Sequence, residues 1–244
     1  MTSPWDPLAW DSSFFGLPVA RLHADTPANE LGAALDDLRA NGIGLAYWLL
    51  DRPDEQRARS ALAAGGLHVD DKTTFHASAK QVLAATAQAP GVTSAFEGPA
   101  EHLRALALDA GVQSRFRVDP KVGVEHFERL YTLWLERSLN GELAEAVYVT
   151  GAPGHPTGFI AVGRKDGRAD IGLIAVDARA RGQGCGKALV RRAAQWAHDA
   201  GLEHLQVVTQ GANREACALY ERCGFERESV SPVFHFWLTT EPRR

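Results

Sequence analysis

Apolar and polar residues follow two different spacings along the chain, and the first hundred residues show both. Short β-rich runs predict strands at 15–22, 45–50 and 68–77, and helical spacing predicts helices at 30–39 and 54–64. Gly65 and Gly66 follow the second helix, where a C-terminal cap is expected. Residues 82–100 are rich in Ala, Gly, Pro and Thr, which predicts a connector with some helix. Residues 1–99 therefore predict a small α/β domain.

The second part of the chain predicts a larger α/β domain over residues 100–244. A helix is expected at 123–139, because Phe127, Leu130, Tyr131, Trp134 and Leu135 follow a 3.6-residue spacing. Strands are expected at 146–150, 157–163, 171–176 and 205–209, with helices at 187–197 and from residue 213. Strands and helices mixed in this way predict an α/β fold class with a mixed sheet.

Two segments share one order of elements. Residues 45–76 and 205–235 each predict a strand, a helix, a glycine turn and a strand that ends in Phe-His. Two explanations remain open: an internal repeat, or two examples of a common strand–helix–strand unit.

Composition and charge limit the classes of function that the sequence can be expected to have. Of 244 residues, 45% are hydrophobic and 23% charged, as is typical of a soluble globular protein. A net charge of -4 gives no reason to expect a nucleic-acid partner. No apolar run is long enough for a membrane span, and the N-terminus does not resemble a secretory signal. The three cysteines and the histidines are not spaced as a metal site. We therefore expect a cytoplasmic protein without a metal or a membrane partner.

Residues 181–186 form a glycine-rich turn between an apolar strand and a helix. This arrangement directs backbone N–H groups at a helix N-terminus toward an anion such as a phosphate. A Walker loop does not fit, because Arg181 replaces its first glycine and Ala188 follows Lys187. A dinucleotide fingerprint does not fit either, because Lys187 stands in place of its third glycine. The sequence predicts a site for a different phosphorylated ligand.

Two motifs resemble the GNAT superfamily of N-acetyltransferases. They are R-x-x-G-x-G, with Arg181, Gly184 and Gly186, and N-x-x-A-x-x-L-Y-x-x-x-G-F, from Asn213 to Phe225. The resemblance implies a GNAT domain over 100–244, a truncated GNAT-like half over 1–99, and acetyl-CoA as co-substrate. The cofactor-binding residues that it implies are Leu173, Ile174, Ala175, Val176, Arg181, Gly182, Gln183, Gly184, Cys185, Gly186, Lys187 and Asn213.

The same resemblance implies roles in chemistry. Tyr220 would protonate the leaving thiolate, which suits a hydroxyl with an ordinary pKa of about 10; the alternative is a tyrosine packed on a helix face. Asp170, six residues before Val176, would deprotonate the amine through water; the alternative is an exposed aspartate at a strand end. His235 is a second candidate base and a substrate-binding candidate, or else a core histidine. Arg115 is a candidate for pairing with a substrate phosphate.

A narrower resemblance concerns the acceptor. Residues 10–16 (WDSSFFG), 114–117, 171–175, 208–210 and 234–238 resemble bacterial dTDP-fucosamine N-acetyltransferases. This implies direct transfer to a small-molecule amine, a dTDP-linked amino-deoxyhexose, in a ternary complex, and it is compatible with a homodimer. Two alternatives stay open: an enzyme acting on another small amine, such as an antibiotic or a metabolite, and a CoA-binding module without catalysis.

Overall fold

The computed structural model describes residues 3–89, 94–152 and 154–238. Its elements up to residue 89 are β1 (Trp5–Pro7), α1 (Ala9–Phe15), β2 (Val19–Leu22), α2 (Leu31–Ala40), β3 (Leu45–Leu49), α3 (Glu55–Ala63), β4 (Leu67–Ser78) and α4 (Ala79–Ala85). The later elements are β5 (Ser94–Ala95), α5 (Glu101–Ala110), α6 (Arg115–Val118), α7 (Val124–Leu139), β6 (Ala146–Ala152), β7 (His155–Lys165), β8 (Arg168–Val176), α8 (Cys185–Asp199), β9 (His204–Gln210), α9 (Arg214–Arg222) and β10 (Glu226–Trp237). The α/β class with a mixed sheet is confirmed.

One predicted strand, 15–22, is wrong in its first part. Phe15 ends helix α1, and Gly16 caps that helix with a φ of 68°, which a glycine adopts readily. Trp10 stacks on Phe14 one helical turn later, with ring centroids 5.2 Å apart. The Ser12 hydroxyl then accepts a hydrogen bond from the Val19 N–H at 2.9 Å, and the strand starts there. Phe15, where the predicted strand began, is therefore the last residue of a helix, and the strand is shorter than predicted.

Among the described residues, the first compact unit comprises residues 3–72, Val118–Lys121 and residues 230–238. Its strand order includes β1-β2-β3-β10. Strand β3 runs parallel to β2 and antiparallel to β10. Leucines on one face of α2 pack with Trp48 and Phe234 in a buried core, as the helical spacing requires. The domain boundary at residue 99 stays a prediction, because compactness does not by itself define an evolutionary domain.

The second compact unit comprises Thr73–Arg117 and Val122–Ser229. Its strand order is β4-β9-β8-β7-β6-β5, in which β8 and β9 are parallel. One buried core lies under α8, with Leu189 and Ala193 at its centre. Another lies under α5 and α7, with Leu103 and Leu135. Helices thus cover both faces of this sheet, as expected for strands that are apolar on both sides.

Each of the two similar segments supplies its last strand to the other unit. Strand β4 belongs to the second unit from Thr73 on, where it lies beside β9. Strand β10 belongs to the first unit from Val230 on, where it pairs with β3. The internal repeat nevertheless stays a prediction, beside the alternative of two common strand–helix–strand units.

Candidate active site

Strands β8 and β9 separate partway along their length. They pair through Ala169↔Leu205, Asp170↔Gln206 and Ile171↔Val207, although β8 continues to Val176 and β9 to Gln210. The two strands are therefore joined at one end and open at the other. We call the space between them the strand gap.

A bulge in β8 lies directly after the last paired residues. On the β7 side, Val162 lies opposite Ile171, but the next residue back, Ala161, lies opposite Leu173, so Gly172 is the extra residue. The bulge reverses the alternation of side chains. Ile171 and Ile174 both pack toward the α8 core. The backbone N–H groups of β8 that face the strand gap have no partner strand there, so they are available to a ligand.

A cavity of about 800 Å³ lies between the end of β8, which forms one side of the strand gap, and the glycine-rich turn. The predicted cofactor-binding residues that line it are Ile174, Ala175, Val176, Arg181, Gly182, Gly184, Cys185, Gly186, Lys187 and Asn213. Tyr220 lines the same cavity. The structure therefore brings most of the predicted site together, although the residues come from a strand, a turn and two helices.

The glycine-rich turn presents the N-terminus of α8 to the cavity. Gly184 is the N-cap residue, with a φ of 84° and no side-chain capping bond. The first N–H groups of a helix lack partners within the helix, and here no side chain caps them. Because the helix dipole adds positive potential at this end, the turn can bind a phosphate or pyrophosphate.

Charged side chains around the cavity favour an anion. The cationic ones are Arg181, Lys187, Arg214 and Arg222, and the anionic ones are Asp109 and Glu215. Arg181 donates to Asp109 Oδ2 at 2.9 Å and to the Val176 carbonyl oxygen at 3.2 Å, which fixes its guanidinium beside the turn. The surplus of positive charge suits a phosphorylated ligand.

Tyr220 is almost fully buried beside the cavity, with 2% of its surface exposed. Its ring packs against Phe75 and Phe225, with centroids 5.6 and 5.8 Å away. Burial raises the pKa of the Tyr220 hydroxyl well above its usual value, so the group stays protonated at neutral pH. Among the residues that the structure describes, none forms a hydrogen bond with this hydroxyl, which leaves it available to a molecule in the cavity.

Five predicted site residues do not line the cavity: Leu173, Gln183, Asp170, Arg115 and His235. Leu173 packs toward the α5 core, and the Gln183 amide donates to the Arg179 carbonyl oxygen at 3.0 Å. Arg115 lies 4.2 Å above the ring of Phe116.

Asp170 and His235 have other partners. The Asp170 carboxylate accepts a hydrogen bond from Gln206 at 2.9 Å, beside the closed end of the strand gap. His235 is fully buried in the first unit, 2.7 Å from Asp119 Oδ2. The roles predicted for these five residues stay predictions.

Several lining residues were not predicted. Ala216 and Leu219 lie one turn apart on α9 between Asn213 and Tyr220, so helical spacing could have identified them. Asp109 lies 72 residues before Arg181, and no local pattern connects the two. Its position depends on how α5 packs.

We expect the change Gly184→Ala to weaken cofactor binding. An alanine at a φ of 84° costs about 1–2 kcal/mol, and the turn must shift to relieve that strain. The N–H groups would then leave their convergent arrangement, and the Kd for acetyl-CoA should rise about tenfold by calorimetry. Gly32→Ala on α2 is the control, because an added Cβ meets nothing within 4 Å there. An unchanged Kd for the Gly184→Ala variant would show that the turn does not contribute to acetyl-CoA binding.

Residues 110–225 match the model of the Acetyltransferase (GNAT) family. Human N-acetyltransferase 8B is 36% identical over 73 residues, which cover 30% of this chain and 32% of the relative. The spore coat polysaccharide biosynthesis protein SpsD of Bacillus subtilis is 26% identical over 146 residues, or 60% of this chain and 50% of the relative. The chain therefore spans about a third and a half of the lengths of these two relatives.

Solved structures share the fold over nearly the whole chain. A functionally unknown conserved protein from Staphylococcus epidermidis is 12% identical, with a TM-score of 0.72 over 97% of this chain and 92% of the other. A GCN5-related N-acetyltransferase from Sphaerobacter thermophilus is 15% identical, with a TM-score of 0.59 over 96% of this chain and 76% of the other. The chain thus has the GNAT fold, and the segment that matches the family model contains most of the cavity lining.

Proposed function

We propose that this protein is an acetyl-CoA-dependent N-acetyltransferase that acetylates the primary amine of a nucleotide-linked amino sugar. The observation that carries the proposal is the strand gap, whose β8 side lines a cavity bordered by the glycine-rich turn. A gap between parallel strands offers unpaired backbone donors to an acyl group, and the turn offers donors to a pyrophosphate. One elongated cofactor with both groups would fill this space.

The residues around the cavity fit acetyl-CoA. The N–H groups at the start of α8 would hold the pyrophosphate, and the cationic side chains of Lys187 and Arg222 would add to the attraction. Further along, the N–H groups of β8 near Ile174 would hold the thioester carbonyl. The cavity volume of about 800 Å³ falls within the range of cofactor sites.

Two groups on opposite sides of the strand gap would move the protons. The amine nitrogen attacks the thioester carbonyl carbon, the C–S bond breaks, and Tyr220 donates its proton to the departing sulfur. Asp170, beside the closed end of the gap, is the proposed base and takes a proton from the amine through water. The β8 N–H groups stabilise the negative charge that develops on the carbonyl oxygen.

The proposed acceptor class rests on two lines of support. Several segments resemble dTDP-fucosamine N-acetyltransferases, including the N-terminal motif W-D-S-x-F-F-G and the late aromatic strand. SpsD, which aligns over 60% of this chain, is named for polysaccharide biosynthesis. A sugar amine carried on a nucleotide is consistent with both.

The test is thiol release from acetyl-CoA in the presence of a panel of amines. Turnover confined to dTDP-linked amino sugars would support both the reaction and the acceptor class. Turnover only on free amines or antibiotics would keep the reaction and contradict the sugar acceptor. Binding of acetyl-CoA without turnover on any amine would contradict the enzymatic proposal and favour a CoA-binding module.

A further inference from the structure

We infer that His76, on strand β4, is the residue that takes the proton from the acceptor amine. The inference rests on the proposed function and refines it, because His76 takes the amine proton in place of Asp170, which keeps a positioning role. His76 lies in the sequence region 1–99, outside both GNAT motifs, but in the second compact unit with Tyr220 and Asp170.

The position of His76 follows from the pairing of β4 and β9. The Ala79 N–H, just after β4, donates to the Glu203 carbonyl oxygen, just before β9, at 2.8 Å. The two strands are neighbours, so the end of one lies beside the start of the other, and they run antiparallel. Continuing that register sets His76 beside Gln206. It also sets Phe75 beside Val207, and these two share the α8 core.

His76, Gln206 and Asp170 therefore form a polar row across β4, β9 and β8. Gln206 is opposite Asp170 and donates to it at 2.9 Å. The row crosses the sheet one residue pair before β8 and β9 separate, so it borders the closed end of the strand gap.

The polar row and Tyr220 lie on opposite faces of the sheet. Phe75 and Ala77 point into the α8 core together with Tyr220, so His76 between them points to the other face. Val208, on the same side of β9 as Gln206, is 40% exposed, so this face is open to solvent near the row. An amine can approach from this face while the thiolate leaves toward Tyr220.

The His76 side chain is half-buried, and the environments of its two ring nitrogens differ. Its Nδ1 atom is enclosed and has no hydrogen-bond partner among the described residues. A buried polar atom without a partner is costly and often marks a functional group. The ring's other nitrogen, Nε2, is not enclosed in this way and can meet a substrate.

The bonds and protons of the proposed transfer step balance. The amine lone pair forms the C–N bond, the C–S bond breaks, one N–H proton passes to His76 Nε2, and the Tyr220 proton passes to sulfur. Water then removes the proton from His76 and returns one to Tyr220. Asp170 takes no proton in this step; its carboxylate orients the Gln206 amide in the same row.

The experiment compares His76→Asn and His76→Gln with the wild type, using the amine that gives the highest turnover. We expect kcat to fall about a hundredfold in both variants, since loss of a general base typically has an effect of this order. The Kd for acetyl-CoA should stay within about twofold, because His76 does not line the cavity. Added imidazole should restore part of the lost turnover, which a purely structural role would not allow.

His204→Asn is the control, because His204 is an exposed histidine on β9, two residues before Gln206. Its kcat should match that of the wild type, with no response to imidazole. The inference is overturned if both His76 variants keep more than about a third of the wild-type kcat, or if imidazole restores nothing. A wild-type protein that acetylates no amine would instead overturn the proposed function, so the two failures are distinguishable.

Discussion

Replacing Tyr220 with phenylalanine should lower kcat about a hundredfold while leaving the Kd for acetyl-CoA nearly unchanged. The change removes only the hydroxyl, and the ring would keep its contacts with Phe75 and Phe225. Without that hydroxyl the departing sulfur must take its proton from water, and loss of a positioned general acid typically costs 10²-fold or more. Steady-state kinetics with the best amine would measure kcat, and calorimetry would measure the Kd.

Tyr148→Phe provides the matched control. Tyr148 is also a buried tyrosine of the second unit, but it does not line the cavity. Its variant should keep wild-type kcat. If the Tyr220→Phe variant kept full turnover, with chemistry shown to be rate-limiting, Tyr220 would not be the general acid.

Replacing Asp119 with alanine should lower the free energy of unfolding by about 3–5 kcal/mol. Asp119 is 1% exposed, and its carboxylate accepts hydrogen bonds from the Lys121 N–H, from His235 and from the Trp237 indole. The fully buried His235 ring would then be left without its acceptor. Urea unfolding followed by circular dichroism would measure the change. Asp36→Ala is the control, since that side chain is 78% exposed and should change stability by less than about 1 kcal/mol.

The same carboxylate should make stability depend on pH. Burial alone would raise the pKa of Asp119, but the hydrogen bonds from His235, Trp237 and Lys121 outweigh it and lower the pKa. A pKa that is lower in the folded state contributes stability above the unfolded-state value of about 4, and this contribution is lost as pH falls through the folded-state value. Below pH 4 the wild type should therefore lose stability more steeply than Asp119→Ala. Equal slopes would mean that the Asp119 pKa is not lowered by folding.

The glycine-rich turn and its flanking elements were predictable because their signals are local. Residues 181–186 carry the glycines that a turn with positive φ requires, and α8 continues the helical spacing that follows them. Spacing likewise places Asn213 and Tyr220 on one helix face. The cavity lining from these segments is therefore largely encoded in short stretches of sequence.

The rest of the site depends on packing that the sequence pattern does not reveal. The run 171–176 predicts one continuous apolar strand, and its residue pattern does not indicate a bulge at Gly172. Asp109 reaches Arg181 only because α5 ends beside the turn. The inferred place of His76 beside Gln206 depends on β4 entering the second unit, which the prediction of a separate domain over residues 1–99 does not reveal.

The exchange of final strands has a consequence for synthesis on the ribosome. Strand β3 pairs with β10, which is translated long after β3 because most of the second unit lies between them in the sequence. One edge of β3, with the sequence LAYWL, therefore stays open while the rest of the chain is translated. An open apolar edge is a template for pairing with other chains. The first unit cannot complete its fold until β10 has been translated, and a nascent chain stalled before residue 230 would be prone to aggregate.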